Sequence, residues 1–316
     1  MRNNEISPIV IFTYRREITE LIQSLLNNNL AQESELFIFS DGYKNDTDRQ
    51  DVLEVRKGLK GINGFKNITI KESKENNGLA NSVINGVTEI INKYEKVIVL
   101  EDDLIVEDNF LEFMNEALDF YNKNNTIWSI AGYTPNLKCL ESYEKDIFLS
   151  TRASSWGWAT WKNRWDKIEW EIKDWNTFKK DKKLINKFNL GGDDMFKMLE
   201  TQMMGKIDSW AIRWCYNQFK YNMYTIYPTK SKLKNIGFDD KGTHNEDGSK
   251  RWEVKSSNKV VKLEEIKVDN DIINCFKEKY NLKLKTKFGY LLKQYGGYNF
   301  VKKISIKISK LRNFKI

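Results

Sequence analysis

Hydrophobic and polar positions divide the first hundred residues into short apolar runs separated by longer stretches of helical period. Residues 6–12 (Ile-Ser-Pro-Ile-Val-Ile-Phe) predict a first strand, and 18–26 predict a helix on the recurrence of Ile18, Leu21, Ile22, Leu25 and Leu26. Residues 35–42 predict a second strand ending in Asp41-Gly42, and a helical region leads to a third, short strand at 66–70. The segment opening at Glu75-Asn76-Asn77-Gly78 predicts an amphipathic helix to about residue 94, and Val97-Ile98-Val99-Leu100 predicts a fourth strand. Runs this rich in Val and Ile, too short for free-standing helices, read as strands buried on both faces. Strand–helix alternation at this spacing predicts an α/β fold with a doubly wound, mostly parallel sheet.

The fourth run differs from the others. It delivers Glu101, Asp102 and Asp103 in succession and then turns apolar again at Leu104-Ile105-Val106. Three carboxylates at the end of a buried strand repel one another and lose hydration, so the pattern calls for a countercharge. A hard divalent cation whose shell is completed by a ligand's phosphates meets that need. In doubly wound sheets the ligand lies beyond the carboxyl ends of the strands, which sets Thr13, Tyr14, Arg15, Asp41 and the acid triplet along one crevice. The chain has neither a GxGxxG turn after the first strand nor a GxxxxGK[ST] loop, so dinucleotide redox chemistry and P-loop hydrolysis fit poorly.

Beyond residue 110 the alternation breaks down. Residues 109–122 predict a helix with Phe110, Phe113, Met114, Leu118 and Tyr121 on its inner face, and 128–133 and 224–228 predict strands. Between them lies an aromatic-dense region containing Trp156, Trp158, Trp161, Trp165, Trp170 and Trp175. Most of these indoles are expected in the core, with one or two left to stack on sugar rings. Asp193 and Asp194 precede a helix expected at 195–204, and His244, the only histidine, lies in a loop with Gly237 and Gly242.

Composition adds two points. The 316 residues carry a net charge of +8, with twelve bases against the single acid Glu278 from Cys275 onward, which leaves 40 bases and 43 acids in the rest. A near-neutral body with a Lys-rich tail that also contains Leu, Ile, Phe and Tyr predicts an anionic membrane surface as partner; no RNA-binding motif accompanies it, so nucleic acid is not expected. Cys139, Cys215 and Cys275 are widely spaced and odd in number, which predicts no disulfide framework and a reducing cytoplasm. No apolar stretch reaches membrane-spanning length and the first residues form no signal region, so a cytoplasmic protein, peripheral at the inner face of the membrane, is expected.

With these segments in view the chain resembles glycosyltransferases of the GT-A fold. Within that fold it is similar to the family of the N-acetylglucosaminyltransferase that starts complex N-glycan branching and to its bacterial relatives. The resemblance rests on the strand running from Val10 into Thr13-Tyr14-Arg15, on Asp41, and on the strand running into Glu101-Asp102-Asp103. Further along it rests on Thr151-Arg152 with Trp156-Gly157-Trp158, on Asp208-Ser209-Trp210, and on Gly242-Thr243-His244.

The resemblance implies a GT-A domain over residues 1–250, with a nucleotide-sugar half at 1–110 and an acceptor half at 111–250; the basic extension expected at 251–316 has no counterpart in it. It implies Asp103 as direct ligand of Mn²⁺ (or Mg²⁺), and Asp102, Glu101, Thr13, Tyr14, Arg15, Asp41, Gly78 and His244 as donor-binding residues. Trp156, Trp158, Asp193 and Asp194 would then face the acceptor, and Asp208 would be the general base, with Asp193 or Asp194 as the other candidates. The implied reaction is inverting sugar transfer from a nucleotide diphosphate sugar, such as a UDP-sugar, to a glycan or lipid-linked glycan in surface polysaccharide or lipopolysaccharide synthesis. A glycan-binding protein tethered by its basic tail is the alternative, and it leaves the acid triplet unexplained.

Overall fold

A computed structural model of the chain describes residues 5–237 and 249–281. His244 and the basic segment from residue 282 onward lie outside the described residues, and so do the expectations attached to them.

The first half follows the predicted alternation. β1 (Ile9–Thr13), α1 (Thr19–Leu26), β2 (Glu35–Ser40), α2 (Asp46–Leu59), β3 (Asn67–Glu72), α3 (Leu79–Tyr94) and β4 (Lys96–Glu101) come in order. The four strands pair in parallel, with β1 between β2 and β4 and β3 outside β2. Side chains alternate across this sheet because successive residues of a strand point to opposite faces. Ile9, Ile11, Ile98 and Leu100 join the core that includes Leu21 and Leu25 of α1, whereas Val10, Phe12, Val97 and Val99 join the core that includes Val83, Val87 and Ile90 of α3. Both faces are covered, and this is why the runs read as continuously apolar rather than alternating.

The second half completes the sheet by a less regular route. β5 (Leu104–Val106), α4 (Phe110–Phe120), β6 (Ile127–Ala131), β7 (Ile147–Ser150) and β8 (Trp158–Trp161) are followed by the short helices α5 (Lys162–Trp165), α6 (Trp175–Phe178) and α7 (Lys182–Phe188). Then come α8 (Met195–Met203), α9 (Trp210–Lys220), β9 (Tyr224–Pro228), β10 (Leu233–Asn235), α10 (Ser249–Trp252) and α11 (Asn270–Tyr280). The eight-stranded sheet has the order β3-β2-β1-β4-β8-β6-β9-β7, and β5 pairs with β10 in a separate two-stranded ribbon. β8 runs antiparallel to both β4 and β6, β6 and β9 are parallel, and β7 is antiparallel to β9. The strands expected at 128–133 and 224–228 correspond to β6 and β9; β5, β7, β8 and β10 are additional.

Most of the tryptophans are core. Trp128, Trp158, Trp165, Trp210 and Trp214 are each at most 3% exposed, and their rings pack together, with Trp158 5.3 Å from both Trp210 and Trp214. Trp158 was expected to face an acceptor. Its side chain instead points from β8 into the interior, buried beneath α9, and cannot contact a sugar.

The cysteines also depart from expectation. Cys139 and Cys275 form a disulfide although they stand 136 residues apart, because α11 returns to the turn at Lys138–Glu141. Phe276 is buried beside them against Phe148 and Tyr227. Residues 251–279 belong to the same compact unit as the described residues before them. Cys215 remains as a buried thiol. Among the described residues no helix is long and apolar enough to cross a membrane. Alkylation of the unfolded, unreduced protein should modify one cysteine, Cys215, and alkylation after reduction should modify three; intact-mass measurement reads the difference, and three modified thiols without reductant would rule out the pairing.

Candidate active site

The crevice forms where the winding of the sheet reverses. From β1 the chain builds outward through β2 and β3, then returns to the other side of β1 with β4. In register, Phe12 lies opposite Glu101 and Thr13 opposite Ser40, so the carboxyl ends of three strands stand side by side. The expected convergence of Thr13–Arg15, Asp41 and the acid triplet is therefore present, and it follows from strand pairing alone.

Glu101 ends β4, while Asp102 and Asp103 form the turn into β5. Burial holds the Glu101 carboxyl well above the ordinary range, and the charges of Asp103 and Asp102 push it further the same way. Burial and the Asp103 charge raise Asp102 to about 7, partly opposed by the Tyr14 amide, the Arg16 charge and Thr13. The Tyr14 amide lies 3.4 Å from Asp102 Oδ2. Arg16 is thus a cation of the site that the sequence reading passed over.

The turn after β1 is braced from α2. Tyr14 donates its hydroxyl to Asp48 Oδ2 at 2.7 Å, Arg15 Nη1 donates to Asp48 Oδ1 at 2.7 Å, and Tyr14 Oη accepts from the Lys44 amide at 2.9 Å. Asp48 is buried in the first turn of α2, and no sequence pattern singles it out. The side chains of Tyr14 and Arg15 accordingly point at Asp48, and it is the Tyr14 backbone that faces the acids.

Asp41 ties β2 to the start of α3. Its Oδ1 accepts from the amides of Gly42 and Asn77, both at 2.9 Å, and its Oδ2 accepts from the Gly78 amide at 3.0 Å. Gly78 precedes α3 with φ +77°, a backbone conformation that only glycine adopts without strain. A cavity of about 210 Å³ opens beside Asp41, lined in part by Phe39, Ser73, Asn77 and Ser82.

Trp156 stands apart from the buried indoles. It lies two residues before β8, past the last ladder pair of Val99 with Trp158. The half-buried Trp156 ring packs edge-on against Tyr133 at 4.6 Å and against Trp252 at 6.4 Å. It is the half-buried indole of the Trp156-Gly157-Trp158 segment, packed against the core on the α1 side of the sheet.

The candidate bases lie in other networks. Arg152 forms a two-pronged pair with Asp194, Nη1 to Oδ1 at 2.8 Å and Nη2 to Oδ2 at 2.9 Å, and Asp193 lies 3.8 Å from Lys277 of α11. Asp208 is more open. Its side chain is 58% exposed and meets Arg213 Nη2 at 3.2 Å, two residues ahead of Trp210 at the start of α9.

The chain matches the family described as Glycosyl transferase family 2 over residues 9–198 and belongs to it. The protein is a glycosyltransferase with a GT-A fold, and the mixed, mostly parallel sheet agrees with that class. The matched region runs from the first residue of β1 into α8, so it contains the acid triplet, Asp193 and Asp194, while Asp208 lies beyond it. No curated protein matches the chain.

The acid triplet fits a hard divalent cation on chemical grounds: its donors are all carboxylate oxygens, and burial together with mutual repulsion raises Glu101 and brings Asp102 to about 7. Among the described residues no group of three or more His, Cys, Asp or Glu is arranged to hold a metal by itself.

The raised Asp102 value fixes a sign. A carboxyl with a higher pKa in the folded than in the unfolded state makes folding less favourable as pH rises through that interval. In metal-free buffer, Asp102→Asn should therefore gain thermal stability relative to the natural chain between about pH 4 and pH 7. Melting curves of both proteins across that range test this, and a difference that does not change with pH would contradict it.

Proposed function

We propose that this glycosyltransferase transfers a sugar from a nucleotide diphosphate sugar, with UDP as the nucleotide, to a hydroxyl of a glycan or lipid-linked glycan, with inversion at the anomeric carbon. The observation that carries this reading is the Glu101-Asp102-Asp103 turn, half-buried at the carboxyl end of β4 where β1, β2 and β4 converge. Residues 1–110 hold the nucleotide sugar and 111–250 the acceptor. Membership of an N-acetylglucosaminyltransferase I-like branch is supported by the order of the later segments, and transfer of a hexosyl or N-acetylhexosaminyl group goes with it.

Asp103 would hold Mn²⁺ or Mg²⁺, with the donor's phosphates supplying further oxygens. The chemistry such a cation would supply there is to offset the charge that develops on the diphosphate as the glycosidic bond breaks. Asp102 receives the Tyr14 amide on one oxygen and keeps the turn after β1 against the acids. Glu101 faces the donor sugar. Asp41, by fixing Asn77 and Gly78, shapes the wall against which the base and ribose lie.

Inversion needs one base on the face opposite the leaving group, to take the proton from the acceptor hydroxyl as that oxygen attacks. Asp208 suits this role better than Asp194, both of whose oxygens are engaged by Arg152. Trp156, half-buried, is the indole left to meet the acceptor sugar. Synthesis of a surface polysaccharide or lipopolysaccharide at the inner face of a membrane is consistent with the Lys-rich C-terminal sequence.

A screen of nucleotide sugars with the purified chain and Mn²⁺, measuring nucleotide release, is expected to show donor hydrolysis that disappears with chelator; no release from any donor would count against the reading. Asp103→Ala should abolish Mn²⁺-dependent UDP binding in calorimetry. Asp208→Asn should bind donor normally and lose about a hundredfold or more in transfer rate, and near-normal transfer would return the base role to Asp193.

A further inference from the structure

We infer that Gly237 is a positioning residue for the Asp103 carboxylate, set at the end of a backbone strap that fixes where this acid can present its oxygens. The inference rests on the proposal that Asp103 ligates the metal.

The strap is the β5–β10 ribbon and its extensions. Leu233, Lys234 and Asn235 pair with Val106, Ile105 and Leu104. At one end the Glu107 amide donates to the Lys232 carbonyl at 2.9 Å; at the other the Ile236 amide donates to the Asp103 carbonyl at 2.8 Å. The start of the strap is anchored in the interior. Leu233 and Lys232 are fully buried, and Lys232 Nζ donates to Asn109 Oδ1 at 3.1 Å and to the Ser257 carbonyl at 3.0 Å. Its far end is tightened by the Gly237 amide, which donates to Asn235 Oδ1 at 2.7 Å.

This ladder carries the Gly237 backbone directly over Asp103. A Cβ on residue 237 would stand 2.1 Å from Asp103 Oδ2 and 2.8 Å from both its Cγ and its Cβ. Rotating the carboxylate could relieve the first two contacts. It cannot relieve the third, because the Asp103 Cβ is fixed by the backbone. Any side chain at 237 must therefore separate the strap from the β4–β5 turn and break the spacing that the Ile236 hydrogen bond maintains. The missing side chain is what lets backbone and carboxylate share this space, and the strap in turn limits the orientations open to Asp103. An outer-layer contact of this kind typically governs metal affinity by about ten- to a hundredfold.

The test is an Mn²⁺ titration of the full chain followed by electron paramagnetic resonance, with melting temperature recorded in parallel. Gly237→Ala should weaken Mn²⁺ binding by about tenfold or more while the protein stays folded. Gly58→Ala, where an added Cβ meets nothing within 4 Å, should bind as the natural chain does. If Gly237→Ala binds Mn²⁺ normally while Asp103→Asn does not, the positioning role is wrong and the metal assignment stands. If Asp103→Asn also binds normally, the metal assignment fails and takes the inference with it. Should Gly237→Ala unfold, Asn235→Ala decides: it removes the bond to the Gly237 amide without adding bulk, and Mn²⁺ affinity should fall several-fold. Unchanged affinity in that variant would overturn the inference.

Discussion

The parallel pairing of β1 with β4 is the constraint on which the site depends. It places Glu101 opposite Phe12 and brings the Tyr14 amide to Asp102, and it makes the sheet wind in opposite directions on either side of β1. Neither strand could occupy this position without helices on both faces, since Ile9, Ile11, Val97 and Val99 leave no polar face to expose. The apolar covering that stabilises the pair also desolvates the acids at its end. Stability of the sheet and electrostatic strain at the triplet thus arise from the same burial.

That strain has a direction. A carboxyl held near neutral pKa by burial and by a neighbouring charge takes up either a proton or a cation, and the two compete. Asp102 has one partner that lowers its pKa through a backbone amide and another, Arg16, that acts through charge, yet burial still dominates. At Asp102 these partners are outweighed. A ligand that brings a divalent ion together with phosphates would complete the balance, and this is the physical content of the proposed donor site.

Much of this was legible in the sequence because parallel strands leave strong local signals. Val97 to Leu100 could be little else than a buried strand, and the acids that follow it are out of place unless functional. The second half was less legible because its strands are short and belong to pairings set by distant segments. Trp158-Ala159-Thr160-Trp161 reads as an aromatic patch, and only its place between β4 and β6 makes it a central strand with Trp158 turned inward. The Cys139–Cys275 bond joins residues whose proximity is created by the return of α11. Asp48 and Gly237 have no local signature at all. One is an ordinary helix-start acid until Tyr14 and Arg15 reach it; the other is an ordinary loop glycine until the strap lays it on Asp103.

The same distinction bears on the candidate bases. Asp193, Asp194 and Asp208 look equivalent in the sequence, each an acid ahead of a helix. In the fold, Asp194 is matched by a planar guanidinium that engages both of its oxygens, a geometry suited to holding the segment before α8 against the end of β7. Asp193 faces Lys277, so its surroundings depend on α11 and on the disulfide that anchors that helix. Asp208 meets Arg213 at its side, and among the described residues its side chain is 58% exposed. A base must exchange its proton with solvent after each transfer, and an acid clamped on both oxygens is poorly placed to do so. Exposure, which counts against most residues as catalysts, here favours Asp208.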